Sequence, residues 1–277
     1  MKPTLKKQGL MNQGIDLKHA AEPKAKWWSS AVIYQIYPRS FADSNGDGFG
    51  DLVGITSKLE SLSTLGVDAM WLSPFMSSPQ KDAGYDVSNY VDVDPLFGTL
   101  SDFELLVKRS HELGLKVLVD LVPNHTSDQH AWFQRALKAE PGSPERDYYH
   151  FKEGKAGGPP NNWVSMFGGP AWTQLTNPDG TPGQWYCHLF DSTQPDLNWE
   201  NAEVRKHLED VLKFWLDRGV DGFRIDVAHG MIKEAGLPDI RKDPAAAMLG
   251  TDHKPFWDQE GVHDIYRSWR KIFDSYP

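Results

Sequence analysis

The 277-residue chain has one cysteine, Cys187, so no intrachain disulfide can brace it. A lone thiol can serve as a nucleophile, but Trp185-Tyr186-Cys187-His188 reads more simply as the setting of a small, half-buried residue. Long apolar runs are also missing. Nothing approaches ~18 consecutive apolar residues, so no membrane-spanning helix is expected. Met1 to Ala21 lacks the apolar core of a secretory signal, and a cytoplasmic, reducing compartment is the expectation. Positive charge is scarce: the formal net charge is -9 and the pI about 5.5, which argues against nucleic acid, whose phosphates need a basic surface. No Gly-x-Gly-x-x-Gly follows a strand-like stretch, which argues against a dinucleotide enzyme. His125, His130, His188 and His229 lack the spacing of a zinc site.

What is abundant is aromatic. Eleven Trp and nine Tyr can pack on the apolar faces of sugar rings or simply fill a core. Residues 1 to 26 are polar and aperiodic and read as a flexible leader. From Trp27 the chain alternates. Strand-like stretches run from Ala31 to Tyr37, Asp68 to Leu72, Lys116 to Val122 and Gly222 to Ala228. Between and after them, apolar residues recur at helical spacing at Leu52–Leu65, Phe103–Leu113, Val204–Leu216 and Ile265–Phe273. Residues 126 to 200 break the rhythm with Gly, Pro, Asn and aromatics and no long periodic segment, the mark of a small inserted domain. Strand–helix alternation gives a parallel sheet. Four such units make half a (β/α)8 barrel or a smaller doubly wound sheet, and the pattern alone does not choose.

Side chains alternate along a strand, so Arg224 and Asp226 share a face. Charged residues in a parallel sheet need a partner or a task. An arginine beside an aspartate keeps it ionised, which suits a nucleophile, although a purely structural ion pair would look the same. Asp120, Val122 and Asn124 share a face of the third strand, with His125 just past its end. A second strand ending in Asp, Asn and His favours a ligand crevice at the carboxyl ends. Upstream, Asp43-Ser44-Asn45-Gly46-Asp47-Gly48-Phe49-Gly50-Asp51 places oxygen donors at every second position, like the start of a calcium loop. It is not an EF-hand, because position twelve is Gly54. The expectation is structural Ca2+ or Mg2+, against a metal-free turn that caps the helix beginning near Asp51.

Four motifs in order carry a resemblance. Asp120-Leu-Val-Pro-Asn124-His125 and Gly222-Phe-Arg224-Ile-Asp226 resemble two signature regions of the α-amylase family (glycoside hydrolase family 13). Gln194-Pro-Asp-Leu-Asn198 and Ile33-Tyr-Gln-Ile-Tyr-Pro-Arg-Ser-Phe41 are similar to its α-glucosidase and oligo-1,6-glucosidase subgroup. The resemblance implies the N-terminal half of a (β/α)8 TIM barrel, at 27–125 and 201–277, with domain B inserted at 126–200 after the third strand. It implies Asp226 as nucleophile, oriented by Arg224. It implies a glucose pocket of Asp82, Tyr85, His125, Phe167, Phe190 and Gln194, and a metal loop with ligands Asp43, Asn45, Asp47, Phe49 and Asp51.

The implied activity is retaining, exo-acting hydrolysis of terminal α-linked glucose from short oligosaccharides. No organic cofactor, nucleic acid or membrane is involved. A glucosyltransferase, an isomerase or a non-catalytic scaffold are the alternatives. Val227, next to the nucleophile, leans toward α-1,6 linkages, but Ala228-His229-Gly230 departs from the isomaltase pattern and leaves the linkage open. The family's acid/base Glu belongs to a fifth strand. Glu260 precedes a helix and is a poor substitute. The chain is therefore expected to be part of a longer enzyme, and by itself inactive and poorly folded with an open sheet edge.

Overall fold

A computed structural model describes residues 26–241 and 253–276. The expected leader lies outside the described residues except for Lys26. The chain divides into two compact units, Met1–Ala31 and Val32–Pro277. Of the first, the described part is a single 3-10 turn, Trp27–Ser29, closed by the Ser29 hydroxyl on the Lys26 carbonyl at 2.7 Å.

The second unit is built on four parallel strands in the order β1-β2-β5-β9: β1 is Ile33–Ile36, β2 Ala69–Leu72, β5 Lys116–Leu121 and β9 Gly222–Ile225. Helices α1 (Pro38–Phe41), α2 (Leu52–Thr56) and α3 (Leu59–Leu65) follow β1. The periodic run from Leu52 to Leu65 is thus two helices rather than one. The Ser57 and Ser63 hydroxyls bond to backbone carbonyls, and the chain re-starts at Lys58. A hairpin, β3 (Met76–Ser77) with β4 (Asn89–Val93), precedes α4 (Leu100–Glu112). Thr99 and Asp102 close a reciprocal capping box at the start of α4. Helix α6 is Ala202–Leu216, capped by Asn201, and α7 is Val262–Phe273.

Strand β5 is flanked on both sides and buries Val117, Val119 and Leu121 completely. Such a strand reads as continuous apolar sequence because both faces are covered. The helices lock onto the sheet through aromatic packing. Trp215 is fully buried on α6, meets Phe75 and Phe103 edge-on at 5.4 and 4.9 Å, and donates its indole N–H to the Tyr90 carbonyl at 2.8 Å.

Between β5 and α6 the chain forms α5 (Ala131–Lys138) and a three-stranded antiparallel sheet of β6 (Phe151–Lys152), β8 (Pro182–Cys187) and β7 (Trp172–Thr176). Helix α5, at eight residues, is too short to stand out as a periodic segment in the sequence. Cys187 is a correction. It is fully buried in this sheet rather than half-buried, and burial pushes its thiol well above the usual range, which leaves it inert.

His130 caps α5 through its Nδ1, which accepts from the Trp132 amide at 3.2 Å. Its ring lies among those of Tyr90, Trp132 and His207 at 5.9, 5.3 and 6.2 Å. Burial first, then His207 and Arg135, push its pKa down to about 4. An unfolded chain would take up that proton near 6.5, so this contribution is intact above pH 6.5 and is lost as pH falls toward about 4. At pH 5 the loss is expected to be ~2 kcal/mol. Denaturant unfolding of wild type and His130→Asn at pH 7 and pH 5 checks it. Asparagine keeps an N-cap, so the variant should lose less stability on acidification.

Candidate active site

The register of the sheet brings the first charges together. Asp120 on β5 is paired across the ladder with Arg224 on β9. The Arg224 guanidinium reaches both oxygens of Asp120 at 3.2 and 3.3 Å and Oδ1 of Asp226 at 2.5 Å. Asp226 lies one residue past the end of β9, held by its amide on the Leu121 carbonyl at 2.8 Å. The strand ends earlier than its apolar pattern suggests, because Val227 turns into the left-handed region at φ 44°. A β-branched residue there is strained, and the strain falls directly beside the key carboxylate.

Asp120 accepts in addition from the Trp71 indole N–H at 3.2 Å, and Arg224 lies 5.0 Å over the same ring. Burial raises the Asp120 pKa to about 7 despite the guanidinium, with the Asp226 charge adding to the rise. Burial also works against the Arg224 charge, but Asp120 and then Asp226 outweigh it and hold its pKa above the ordinary value. Asp120 and Trp71 were not on the expected list of site residues. Asp120 stood in a quoted motif, whereas nothing in the sequence marked Trp71.

The second group comes from two loops. Buried Asp86 accepts from the Ser78 hydroxyl and the amides of Lys81 and Asp82, which ties down the loop that presents Asp82 and Tyr85. Gly84 sits within it at φ 103°, where an added Cβ would come to 3.0 Å from the Pro74 carbonyl. Gln194, from the far end of the insertion, donates to Asp82 at 2.8 Å and lies 3.2 Å from His125 Nε2. Burial lifts the Asp82 pKa, the Gln194 amide opposing it. Burial, then Asp120, pushes the Tyr85 phenol up to about 12. Burial also lowers the His125 pKa, with the charges of Asp196 and Asp226 opposing it. Asp226 acts electrostatically on Asp82, Tyr85 and His125 alike, so its charge lies near all three.

Phe190 packs on His125 at 5.1 Å, and Phe167 meets Phe190 edge-on at 5.8 Å. Phe167 is 61% exposed, so it sits at the outer end of this wall and not in the core. The structure therefore brings together Arg224, Asp226, Asp82, Tyr85, His125, Gln194 and Phe190, with Phe167 behind Phe190.

The return of the insertion is held by a buried cation. Lys233 Nζ makes an ion pair with Asp196 at 2.9 Å, donates to Asn124 Oδ1 at 2.8 Å and also contacts the Gly230 carbonyl. Asn124 in turn lies 3.2 Å from His125 Nδ1. Sequence reasoning missed Lys233; a lone lysine in Met231-Ile232-Lys233 was its only signal.

The expected metal ligands make their side-chain hydrogen bonds within their own loop and to the first turn of α2. Asp43 accepts backbone amides from Asn45, Gly46 and Gly48, and these bonds, Gly48 first, lower its pKa. Asp47 accepts from the Phe49 amide and the Asn45 side chain. Asp51 caps α2 through the Gly54 amide at 2.6 Å, while its other oxygen accepts from Ser44. Among the described residues no group of three or more His, Cys, Asp and Glu is arranged to hold a metal ion. The donor chemistry of the loop, all oxygen with Asp43 held anionic, nonetheless fits a hard cation.

Residues 35–277 match the family model of the alpha-amylase catalytic domain. The chain is 53% identical over 215 residues to an oligo-1,6-glucosidase of Heyndrickxia coagulans, covering 77% of this chain and 38% of that protein. It is 46% identical over 268 residues to a probable alpha-glucosidase of Rhizobium meliloti, covering 92% and 48%. Among solved structures, an alpha-glucosyl transfer enzyme superposes with a TM-score of 0.85 at 46% identity, covering 92% of this chain and 49% of that one. The trehalulose synthase MutB of Pseudomonas mesoacidophila gives 0.83 at 43% identity, covering 92% and 44%. The chain thus spans about half or less of the length of the relatives it matches. Among the described residues no helix is long and apolar enough to cross a membrane.

Removing the Lys233 ammonium would leave Asp196 and Asn124 buried without it. Lys233→Met is expected to cost about 3–5 kcal/mol, and adding Asp196→Leu to recover part of that. Urea unfolding of the single and double variants reads both.

Proposed function

We propose, because this chain belongs to the alpha-amylase family, that the complete protein is a retaining, exo-acting α-glucosidase of the glycoside hydrolases. Its substrates are short malto- or isomalto-oligosaccharides, its partner is a neutral sugar rather than nucleic acid or membrane, and its compartment is the cytoplasm. The observation that carries the reading is a guanidinium-held carboxylate, Asp226, whose charge acts on a hydrogen-bonded set of Asp82, His125 and Gln194.

The chemistry follows from that arrangement. A retaining glycosidase uses two carboxyl groups, one as nucleophile and one as acid and then base. Asp226 attacks the anomeric carbon, and the bond to the aglycone oxygen breaks. Arg224 keeps the attacking oxygen charged and fixed in direction. The acid/base glutamate of the family, on a fifth strand, protonates the departing oxygen. It belongs to the portion of the relatives that this chain does not span. Water then cleaves the glucosyl ester, and the second inversion restores the α configuration. Asp82 and His125 hold sugar hydroxyls, Tyr85 and Phe190 pack on the ring, and Gln194 positions Asp82 and His125.

A second reading, glucosyl transfer or isomerisation on the same scaffold, is favoured by the likeness to the transfer enzyme and the trehalulose synthase. The two differ in whether water or a sugar hydroxyl takes the glucosyl group. Chromatography of products from maltose and sucrose separates them.

The loop from Asp43 to Asp51 is proposed to hold structural Ca2+ or Mg2+ through Asp43, Asn45, Asp47, Phe49 and Asp51. The cation would draw the exposed carboxylates together and stiffen the entry to α2, outside the chemistry.

In the protein expressed from the full reading frame, Asp226→Ala is expected to lower kcat for an aryl α-glucoside by at least about 10^4-fold. A variant that kept most of its rate would end the α-glucosidase assignment. Millimolar Ca2+ or Mg2+ is expected to raise the melting temperature of the wild type, and Asp43→Ala to abolish the rise. An unchanged wild-type melting curve would show that the loop is a metal-free cap.

A further inference from the structure

The turn after Asp226 carries a gap, and a tryptophan from a distant loop fills it. Gly230 closes the turn by donating its amide to the Val227 carbonyl at 2.9 Å. A Cβ on Gly230 would lie 2.3 Å from Cζ3 of Trp257 and 2.7 Å from Cγ1 of Val227. Glycine is required here because an indole occupies the place of a side chain. The Trp257 ring lies 4.4 Å from that of His229, and the Asp258 amide donates to the His229 carbonyl at 3.0 Å, which fastens the Trp257 backbone to the same turn. On its other side Trp257 meets Phe190 at 6.4 Å and Phe256 edge-on at 5.0 Å.

Trp257 thereby joins two walls. One is the turn that follows the nucleophile. The other is the aromatic row in which Phe190 touches His125 and Phe167 touches Phe190. Phe256, Trp163 and Trp172 back it in a separate apolar cluster, and Trp163 is anchored by its indole N–H on the Pro238 carbonyl. Yet Trp257 stays only half-buried, although Phe256 and Trp163 beside it are fully buried. A rigidly backed, part-exposed indole beside a glucose pocket has the form of a sugar platform, since aromatic side chains supply large contact area at little entropic cost.

We propose that Trp257 is a specificity-determining residue, stacking on the sugar unit attached to the glucose held by Asp82, His125 and Tyr85. The proposal rests on the α-glucosidase reading and adds a binding position beyond the scissile bond. The platform selects for a second pyranose ring and contributes nothing to a substrate that has no such ring.

The test compares two substrate types in the full-length enzyme. Maltose and isomaltose carry a second sugar, whereas α-glucosyl fluoride does not. Trp257→Ala is expected to lower kcat/KM for the disaccharides about tenfold more than for the fluoride, mainly through KM. Trp257→Phe should restore most of the difference. Equal losses on both substrate types would mean that Trp257 merely supports the turn beneath Asp226, and would overturn the proposal, as would no loss on either. A wild type without turnover of glucosyl fluoride would instead remove the α-glucosidase reading on which the proposal stands.

Discussion

Everything at this site depends on one guanidinium shared by two carboxylates. Arg224 lies in register opposite Asp120 and reaches forward to Asp226, so a cross-strand pair becomes a three-charge unit. The two acidic partners are not equivalent. Asp120 is sealed from water and its carboxyl is pushed toward neutrality by burial. Asp226 remains partly open at the strand end, where a substrate can meet it. The buried carboxylate and the Trp71 ring fix where the guanidinium sits, and the guanidinium then aims the exposed one. Preorganised charge of this kind costs no reorganisation during reaction, which is why it suits catalysis better than a flexible surface pair.

A guanidinium can aim a carboxylate only if the strand end does not move. Two devices hold it. The insertion returns beside β5 through isolated bridges, His125 with Asp196 and Tyr149 with Leu197, and Lys233 crosses from beyond β9 to pair with Asp196. Buried ion pairs are weak evidence for net stability, because desolvation offsets attraction. Their value here is positional: Lys233 is satisfied only when β5, the insertion and the loop after β9 are in one arrangement. Asn161 and Asn162 add a second tie, bonding the insertion to the backbone at Leu237 and Ile240. The stretches that carry Asp82, His125 and Gln194 are thus separate parts of the chain that lock one another.

Much of the fold was legible because parallel strands buried on both faces must be continuous and apolar. Ala69–Leu72 obeys that rule, Lys116–Leu121 departs from it only at Lys116 and Asp120, and both were readable to within a residue or two. The amphipathic stripe of α6, with Val204, Leu208, Val211, Leu212 and Trp215 all buried, was equally plain. Illegible parts were those whose cause lies in tertiary contact. The short helix α5 has too few turns to show a period. Strand β9 ends at Ile225 because Val227 is bent into a strained conformation that no propensity foretells. Charged site residues stood out by type, since Asp, Arg and His are conspicuous beside an apolar run. Trp71 and Trp257 did not, because in a chain with eleven tryptophans an indole at a site looks like any other in a core.

The same contrast explains why the chemistry is easier to read than the selectivity. A displacement at an anomeric carbon demands ionisable groups at fixed spacing, and such groups leave a sharp trace in sequence. Choosing which glucoside to cleave demands only shape: a ring face here, a missing Cβ there. Gly230 and Trp257 lie far apart in the chain and carry no charge, yet they compete for one volume, and that volume adjoins the turn after Asp226. Enlarging one must shrink the space left for the other. Differences among enzymes built on this scaffold can therefore arise from reciprocal changes of size along the rim while Asp120, Arg224 and Asp226 stay constant.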